Sequence, residues 1–118
     1  MSLNKINEFN AYRSKMNERI LDSDNLILER IFNLDMNAFK DGAVASRTKE
    51  VIGLSVSLGS RCDDCIKYHT ERCFEIGLTD EEFMEVTSIA VLINGTITIP
   101  HLRRAVEFWD ELKNQKTN

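Results

Sequence analysis

Gly77-Leu78-Thr79-Asp80-Glu81-Glu82 decides how this chain folds. A glycine can take the left-handed conformation that closes a helix. A threonine followed three positions later by glutamate forms the capping box that opens the next one, with Thr79 as N-cap and Glu82 reaching back. Downstream, Phe83, Val86, Ile89, Ala90 and Ile93 recur at helical steps as far as Asn94-Gly95. Upstream, a helix beginning around Cys62 or Asp63 is predicted to run to Gly77. From Arg47 to about Gly59, Val51, Ile52, Leu54, Val56 and Leu58 make a segment apolar on most sides, as in a buried helix or strand; its charged first turn and its length favour helix.

The same reading extends to both ends. Leu3, Ile6, Tyr12, Met16 and Ile20 mark the inner face of a first amphipathic helix, which Leu21 carries into the turn-like Asp22-Ser23-Asp24-Asn25. A second helix starts at Leu26, with Ile27, Ile31, Leu34 and Phe39 inward, and stops near Asp41-Gly42. Pro100 suits a first helical turn and opens a last helix with Leu102, Val106, Phe108 or Trp109, and Leu112 inward. The tail from Asn114 to Asn118 is expected to fray. Thr96-Ile97-Thr98-Ile99 alternates like a strand and is the one segment that argues for β pairing. One proline and five glycines in a chain with 42% hydrophobic residues suit helices. The fold class predicted is all-α.

At 118 residues the chain reads as one domain, 1–118, without repeat or low-complexity segment. The net charge of -4 and pI near 5.2 disfavour nucleic acid or an anionic membrane as partner. The two most apolar stretches, Val51 to Leu58 and Val86 to Ile99, are short of the roughly 20 residues that span a bilayer. Met1-Ser2-Leu3-Asn4-Lys5 leads into no secretory apolar region, so the expected location is cytoplasmic. In a reducing compartment a close cysteine pair is catalytic, redox-active or metal-binding.

That pair is Cys62 and Cys65, followed by His69. A thiol at a helix start lies near unpaired N–H groups and the positive end of the dipole, which favours thiolate at Cys62. Cys65, one turn deeper, is expected to be less exposed, with His69 at i+4 placed to accept its proton. The base needs an orienting carboxylate, and Glu50 is the candidate: an antiparallel pairing of the two helices would bring it to the His69 ring. Zinc held by Cys62, Cys65 and His69, in a non-catalytic interaction module, is the alternative. Cys73 does not belong to such a set, because eleven residues of helix rise about 16 Å whereas two thiolates on one zinc lie within about 4.6 Å. Cys73 reads as a small buried hydrophobe. His101, without cysteine or carboxylate near it in sequence, reads as a surface or structural residue. Asp63 and Asp64 suit the helix dipole yet oppose a low thiol pKa. Tyr68 and Trp109 read as core or interface aromatics.

Glu50, then Cys62-x-x-Cys65-x-x-x-His69, then Gly77-Leu78-Thr79 and an apolar helix resemble the carboxymuconolactone decarboxylase and alkylhydroperoxidase D family over roughly Ala38 to Phe108. Arg47-Thr48-Lys49-Glu50 belongs to the same likeness. The resemblance implies an alkylhydroperoxidase D-like domain of about six helices with a central helix hairpin carrying the CxxC motif, a core over about 38–113 and N-terminal helices over 3–37 available for oligomerisation. It implies assembly as a homo-trimer or homo-hexamer. In the redox branch it implies peroxiredoxin-type reduction of a small hydroperoxide, or disulfide reduction, with no bound cofactor and an external dithiol, thioredoxin-like or lipoyl reductant. By position, Cys65 would be the peroxidatic cysteine, Cys62 the resolving cysteine, His69 the proton-relay base and Glu50 its partner. Alkylhydroperoxidase D carries a further relay histidine just before its second cysteine, where this chain has Asp64. The decarboxylase branch generally lacks the cysteine pair, which leaves lactone decarboxylation as the minor alternative.

Overall fold

The computed structural model describes residues 3–117, and these form six α-helices: α1 (Leu3–Leu21), α2 (Leu26–Ala38), α3 (Ser46–Ser60), α4 (Asp63–Glu75), α5 (Asp80–Asn94) and α6 (Ile99–Thr117). The all-α expectation holds. The capping box at Thr79 is complete: Thr79 Oγ1 accepts from the Glu82 N–H at 3.1 Å and Glu82 Oε1 accepts from the Thr79 N–H at 2.9 Å. Gly77, at φ +89, closes α4. Its N–H donates to the Phe74 carbonyl and that of Leu78 to the Cys73 carbonyl, the paired bonds of a Schellman ending. Thr96–Thr98 is a short 3-10 turn rather than a strand. With the chain helical on both sides, Thr98 bonds locally to Gly95 and is fully buried. α6 stays helical from Ile99 through Thr117, past the expected fraying point; Asn118 lies outside the described residues.

α3 and α4 form an antiparallel hairpin, with α5 packed on α3, α6 on α4 and α1 on α6. The main core joins Leu54, Leu58, Ile66, Cys73, Leu78, Phe83, Ala90, Ala105 and Trp109. Trp109 stacks on Phe83 at 4.3 Å and meets Phe74 edge-on at 5.3 Å. Its Nε1 donates to Asp80 Oδ1 at 2.6 Å, so the first turn of α5 is tied to α6. Both Phe108 and Trp109 are buried, because α6 lies between two cores. Phe108 and Leu112 face a second, smaller cluster with Ile6 of α1.

Several residues expected inside are outside. α2 has no buried residue; Ile27, Ile31 and Leu34 are exposed and Phe39 is half-buried. α2 ends at Ala38, three residues before the expected stop. In α1, Ile6 is buried, Met16 and Ile20 are half-buried and Tyr12 is exposed, while the Leu3 side chain lies outside the described residues. Ile52, Val56, Ile89 and Ile93 also face outward. Helical spacing identifies an apolar face, but a face with no element of the same chain to pack on remains exposed. The radius of gyration, 15.0 Å, exceeds the about 13.5 Å expected for a compact chain of this length, as a protruding α2 requires. Among the described residues no helix is long and apolar enough to cross a membrane.

Replacing Thr79 with alanine removes the cap bond and is expected to cost about 1 kcal/mol of unfolding free energy. Urea denaturation checks it, with Thr79→Ser expected to keep most of the parent stability; equal values for the alanine and parent proteins would contradict the cap's contribution.

Candidate active site

The chain between α3 and α4 reverses in two residues. Arg61 takes the left-handed conformation at φ 58, its N–H donating to the Leu58 carbonyl at 3.1 Å and that of Cys62 to the Ser57 carbonyl at 3.2 Å. The next helix therefore begins at once, with Cys62 as its N-cap: the Cys65 N–H points to Cys62 Sγ at 3.3 Å. Cys62 and Cys65 are joined as a disulfide. Their exposure is the reverse of the expectation. Cys62, within the reversal, is half-buried and Cys65, in the first turn of α4, is exposed.

Running back along α3, α4 brings His69 to Glu50. His69 Nδ1 lies 3.0 Å from Glu50 Oε1. The Glu50 side chain is only 3% exposed, and its other oxygen is 3.6 Å from Arg72 Nε. A buried carboxylate needs such partners, since an uncompensated charge is strongly disfavoured away from water. An acceptor oxygen at Nδ1 selects the tautomer with hydrogen on Nδ1, leaving Nε2 of the neutral ring as the proton acceptor. The ring is further held by Phe39, 5.3 Å away, and by Tyr68, edge-on at 5.1 Å. Among the described residues no hydrogen bond links the imidazole to either sulfur of the disulfide.

Gly53, one turn along α3 from Glu50, was not singled out by its sequence context. A Cβ there would lie 2.8 Å from His69 Cε1 and Nδ1, closer than packed atoms approach. The missing side chain is what lets the imidazole lie against α3. The available signal was Gly53's place at i+3 from Glu50, on the face that an antiparallel α4 would cover. Arg72, at i+3 from His69, had the same kind of signal. Beside Glu50 a cavity of about 470 Å³ opens toward the end of α2, lined by Phe39, Tyr68 and Arg72 among others. Burial, acting first, raises the Tyr68 phenol above its ordinary pKa, so it stays protonated.

Cys73 is fully buried. Burial foremost, with the Glu50 charge adding to it, pushes its pKa up to about 12. It is the inert core thiol expected of its position. His101, by contrast, has a carboxylate neighbour that its sequence context hid: Nδ1 lies 2.8 Å from Asp63 Oδ1, and Arg104 Nη2 lies 3.2 Å from Asp63 Oδ2. Burial works to raise the Asp63 pKa, but the hydrogen bonds from His101 and Arg104 and the Arg104 charge outweigh it, and the carboxyl is held below its ordinary range. Asp64 is exposed. Among the described residues no three His, Cys, Asp or Glu side chains converge where they could hold a metal ion.

The family model for carboxymuconolactone decarboxylases matches residues 26–108, and the chain belongs to that family. Two crystal structures of one Thermotoga maritima protein superpose on it with TM-scores of 0.90 and 0.89, at 44% and 43% identity, covering 94% of this chain and 97% and 94% of the other. One of them is described as a carboxymuconolactone decarboxylase family protein with antioxidative response as its possible role. A Legionella pneumophila family member shares the fold at 23% identity and a TM-score of 0.82, over 92% of this chain and 96% of that one. An uncharacterised Cupriavidus necator protein is 28% identical over 75 residues, and Paracoccus denitrificans uncharacterised protein 4 in cox locus is 31% identical over 74. Those matches span 64% and 63% of this chain and 66% and 67% of the relatives' own lengths.

Gly53→Ala forces the imidazole off its seat and is expected to lengthen or break the His69–Glu50 bond, at a stability cost of about 1–3 kcal/mol from overpacking. The His69 Nδ1 and ring-proton resonances read the contact directly; resonances unchanged from the parent protein would show that the glycine does not position the ring.

Proposed function

We propose that the protein is a thiol-dependent hydroperoxide reductase, an alkylhydroperoxidase-like oxidoreductase with peroxiredoxin-type activity, in which Cys65 reacts with peroxide, Cys62 resolves, and His69 with Glu50 relays the proton. The observation that carries this reading is a cysteine pair at a helix start, with Cys65 exposed, one turn from an imidazole held by a buried carboxylate. A reacting sulfur must meet its substrate and a resolving one need not, and the difference in exposure supports that division. The family relationship and the antioxidative role suggested for the Thermotoga maritima relative point the same way.

In the reduced protein Nε2 of His69 accepts the Cys65 proton. The thiolate attacks a peroxide oxygen, the O–O bond breaks, and the relayed proton goes to the departing alkoxide, which leaves as alcohol. Cys65 is then a sulfenic acid. The Cys62 thiol condenses with it, releasing water and forming the disulfide. A small external dithiol, the physiological counterpart being a thioredoxin-like protein or a lipoyl group, restores both thiols and leaves as its own disulfide. The sum is one hydroperoxide and one dithiol consumed for one alcohol, one water and one oxidised dithiol. In disulfide reduction the reduced pair would instead exchange with a substrate disulfide, releasing it as two thiols and forming the Cys62–Cys65 bond, which the same external dithiol then reduces.

A stoichiometric hydroperoxide pulse is expected to remove two titratable thiols per chain and to leave Cys73, whose high pKa keeps it protonated. With dithiothreitol present, turnover should continue, and Cys65→Ser should lower it by at least about a hundredfold. Parent-like turnover in Cys65→Ser would end the proposal.

The same proposal extends to assembly as a homo-trimer or homo-hexamer. Its support is the apolar surface left open on α2, with Leu26, Ile27, Ile31, Leu34 and Met36 all more than half exposed, beyond what a lone soluble chain ordinarily shows. Sedimentation velocity is expected to give a species of three or six chains, reduced by Ile31→Glu with Leu34→Glu; a parent protein sedimenting as a monomer at micromolar concentration would contradict it.

A further inference from the structure

The cluster of Asp63, His101 and Arg104 lies at the start of α4, away from His69, and takes no part in the relay. Asp63 directly follows Cys62, and α6 grips its carboxylate through both oxygens, His101 at 2.8 Å and Arg104 at 3.2 Å. A bare Nδ1 lone pair facing a carboxylate oxygen at that distance would be repelled. Nδ1 therefore carries the hydrogen and donates it to Asp63. Arg104 Nη2, 3.2 Å from the same nitrogen, is then a charged neighbour of the pair and not a donor to the ring. The other charged residues beside Cys62 in its own segment are Arg61 and Asp64, whereas α3 meets it through the Ser57 carbonyl. Left unpaired, the Asp63 carboxylate would oppose negative charge on the adjacent sulfur.

We propose that His101 and Arg104 are positioning residues for the cysteine pair: by drawing the Asp63 carboxylate onto α6 and offsetting its charge, they set how readily Cys62 departs as thiolate when the disulfide is reduced. This rests on the reading of Cys62 and Cys65 as a working dithiol. A thiolate of the external dithiol attacks the exposed Cys65 Sγ and forms a mixed disulfide. The Cys65–Cys62 bond breaks and its electron pair leaves on Cys62, where the Cys65 N–H and the helix start receive it. The reductant's second thiol, deprotonated, then attacks its own partner sulfur, the electron pair leaves on Cys65, and the reductant departs as a cyclic disulfide. Its two electrons and two protons end on the two cysteines. The first step is faster the lower the pKa of the leaving thiol.

Two readouts test this without peroxide: the rate at which dithiothreitol reduces the oxidised protein at pH 7, and the pH profile of iodoacetamide alkylation of Cys62 in Cys65→Ser protein. His101→Ala is expected to slow reduction about threefold and to raise the Cys62 pKa, and Asp63→Asn to do the reverse. His101→Gln, which keeps a donor, should recover most of the rate. In the Asp63→Asn background His101→Ala should change neither readout. Equal effects of His101→Ala with and without the Asp63 charge, or no effect in the parent protein, would overturn the proposal. Should His101→Ala fail to fold by circular dichroism, Arg104→Gln, at a more exposed position, carries the same expectations. Loss of hydroperoxide turnover with these two readouts behaving as expected would count against the peroxidase reading alone.

Discussion

The site depends on two backbone hydrogen bonds between α3 and α4, from Arg61 to Leu58 and from Cys62 to Ser57. They turn the chain at a single left-handed residue, and that residue is not a glycine. Arginine in this conformation costs about 1 kcal/mol, so the reversal is sustained by what it joins. One product is an antiparallel pair of helices in register, which sets Glu50 and Gly53 opposite His69. The other is a helix that begins at Cys62 without an intervening loop. A longer connection would loosen the register that sets His69 on α4 against Glu50 and Gly53 on α3.

Glu50 and Gly53 then act on the histidine in different ways. The buried carboxylate selects the ring's tautomer by accepting from Nδ1, and Arg72 keeps that carboxylate from being an isolated charge. Gly53 contributes absence: without a Cβ the ring lies within contact of the α3 backbone. Phe39 and Tyr68 limit its rotation from the remaining sides. An imidazole held in this way keeps its ring in a defined place, with Nδ1 on the carboxylate.

α6 links the cores to the cysteines. Trp109 and Phe108, neighbours in sequence, enter different apolar clusters, and the Trp109 indole fastens the start of α5 through Asp80. The same helix carries His101 and Arg104 to Asp63. Packing that stabilises the fold thus also fixes the charge environment beside Cys62.

Local chemistry was readable directly from residue order. The capping box at Thr79, the glycine stop at Gly77 and the CxxC with histidine at i+4 each depend on neighbours within a few residues, so spacing alone specifies them. Glu50 was legible as well, since an antiparallel hairpin needs only the lengths of two helices. What spacing could not supply was anything depending on which surfaces meet. The apolar residues of α2 carry a helical period whether or not another helix covers them. Thr96 to Ile99 alternates like a strand until helices on both sides leave it no partner. His101 stands 38 residues from Asp63, and no periodicity reports that distance closing to a hydrogen bond. The sequence by itself determined the helices and which residue types the candidate site contains. Only tertiary structure decided which sulfur faces solvent, where the imidazole rests and which charges surround Cys62, because exposure and electrostatic contact are properties of packed surfaces and not of any one segment.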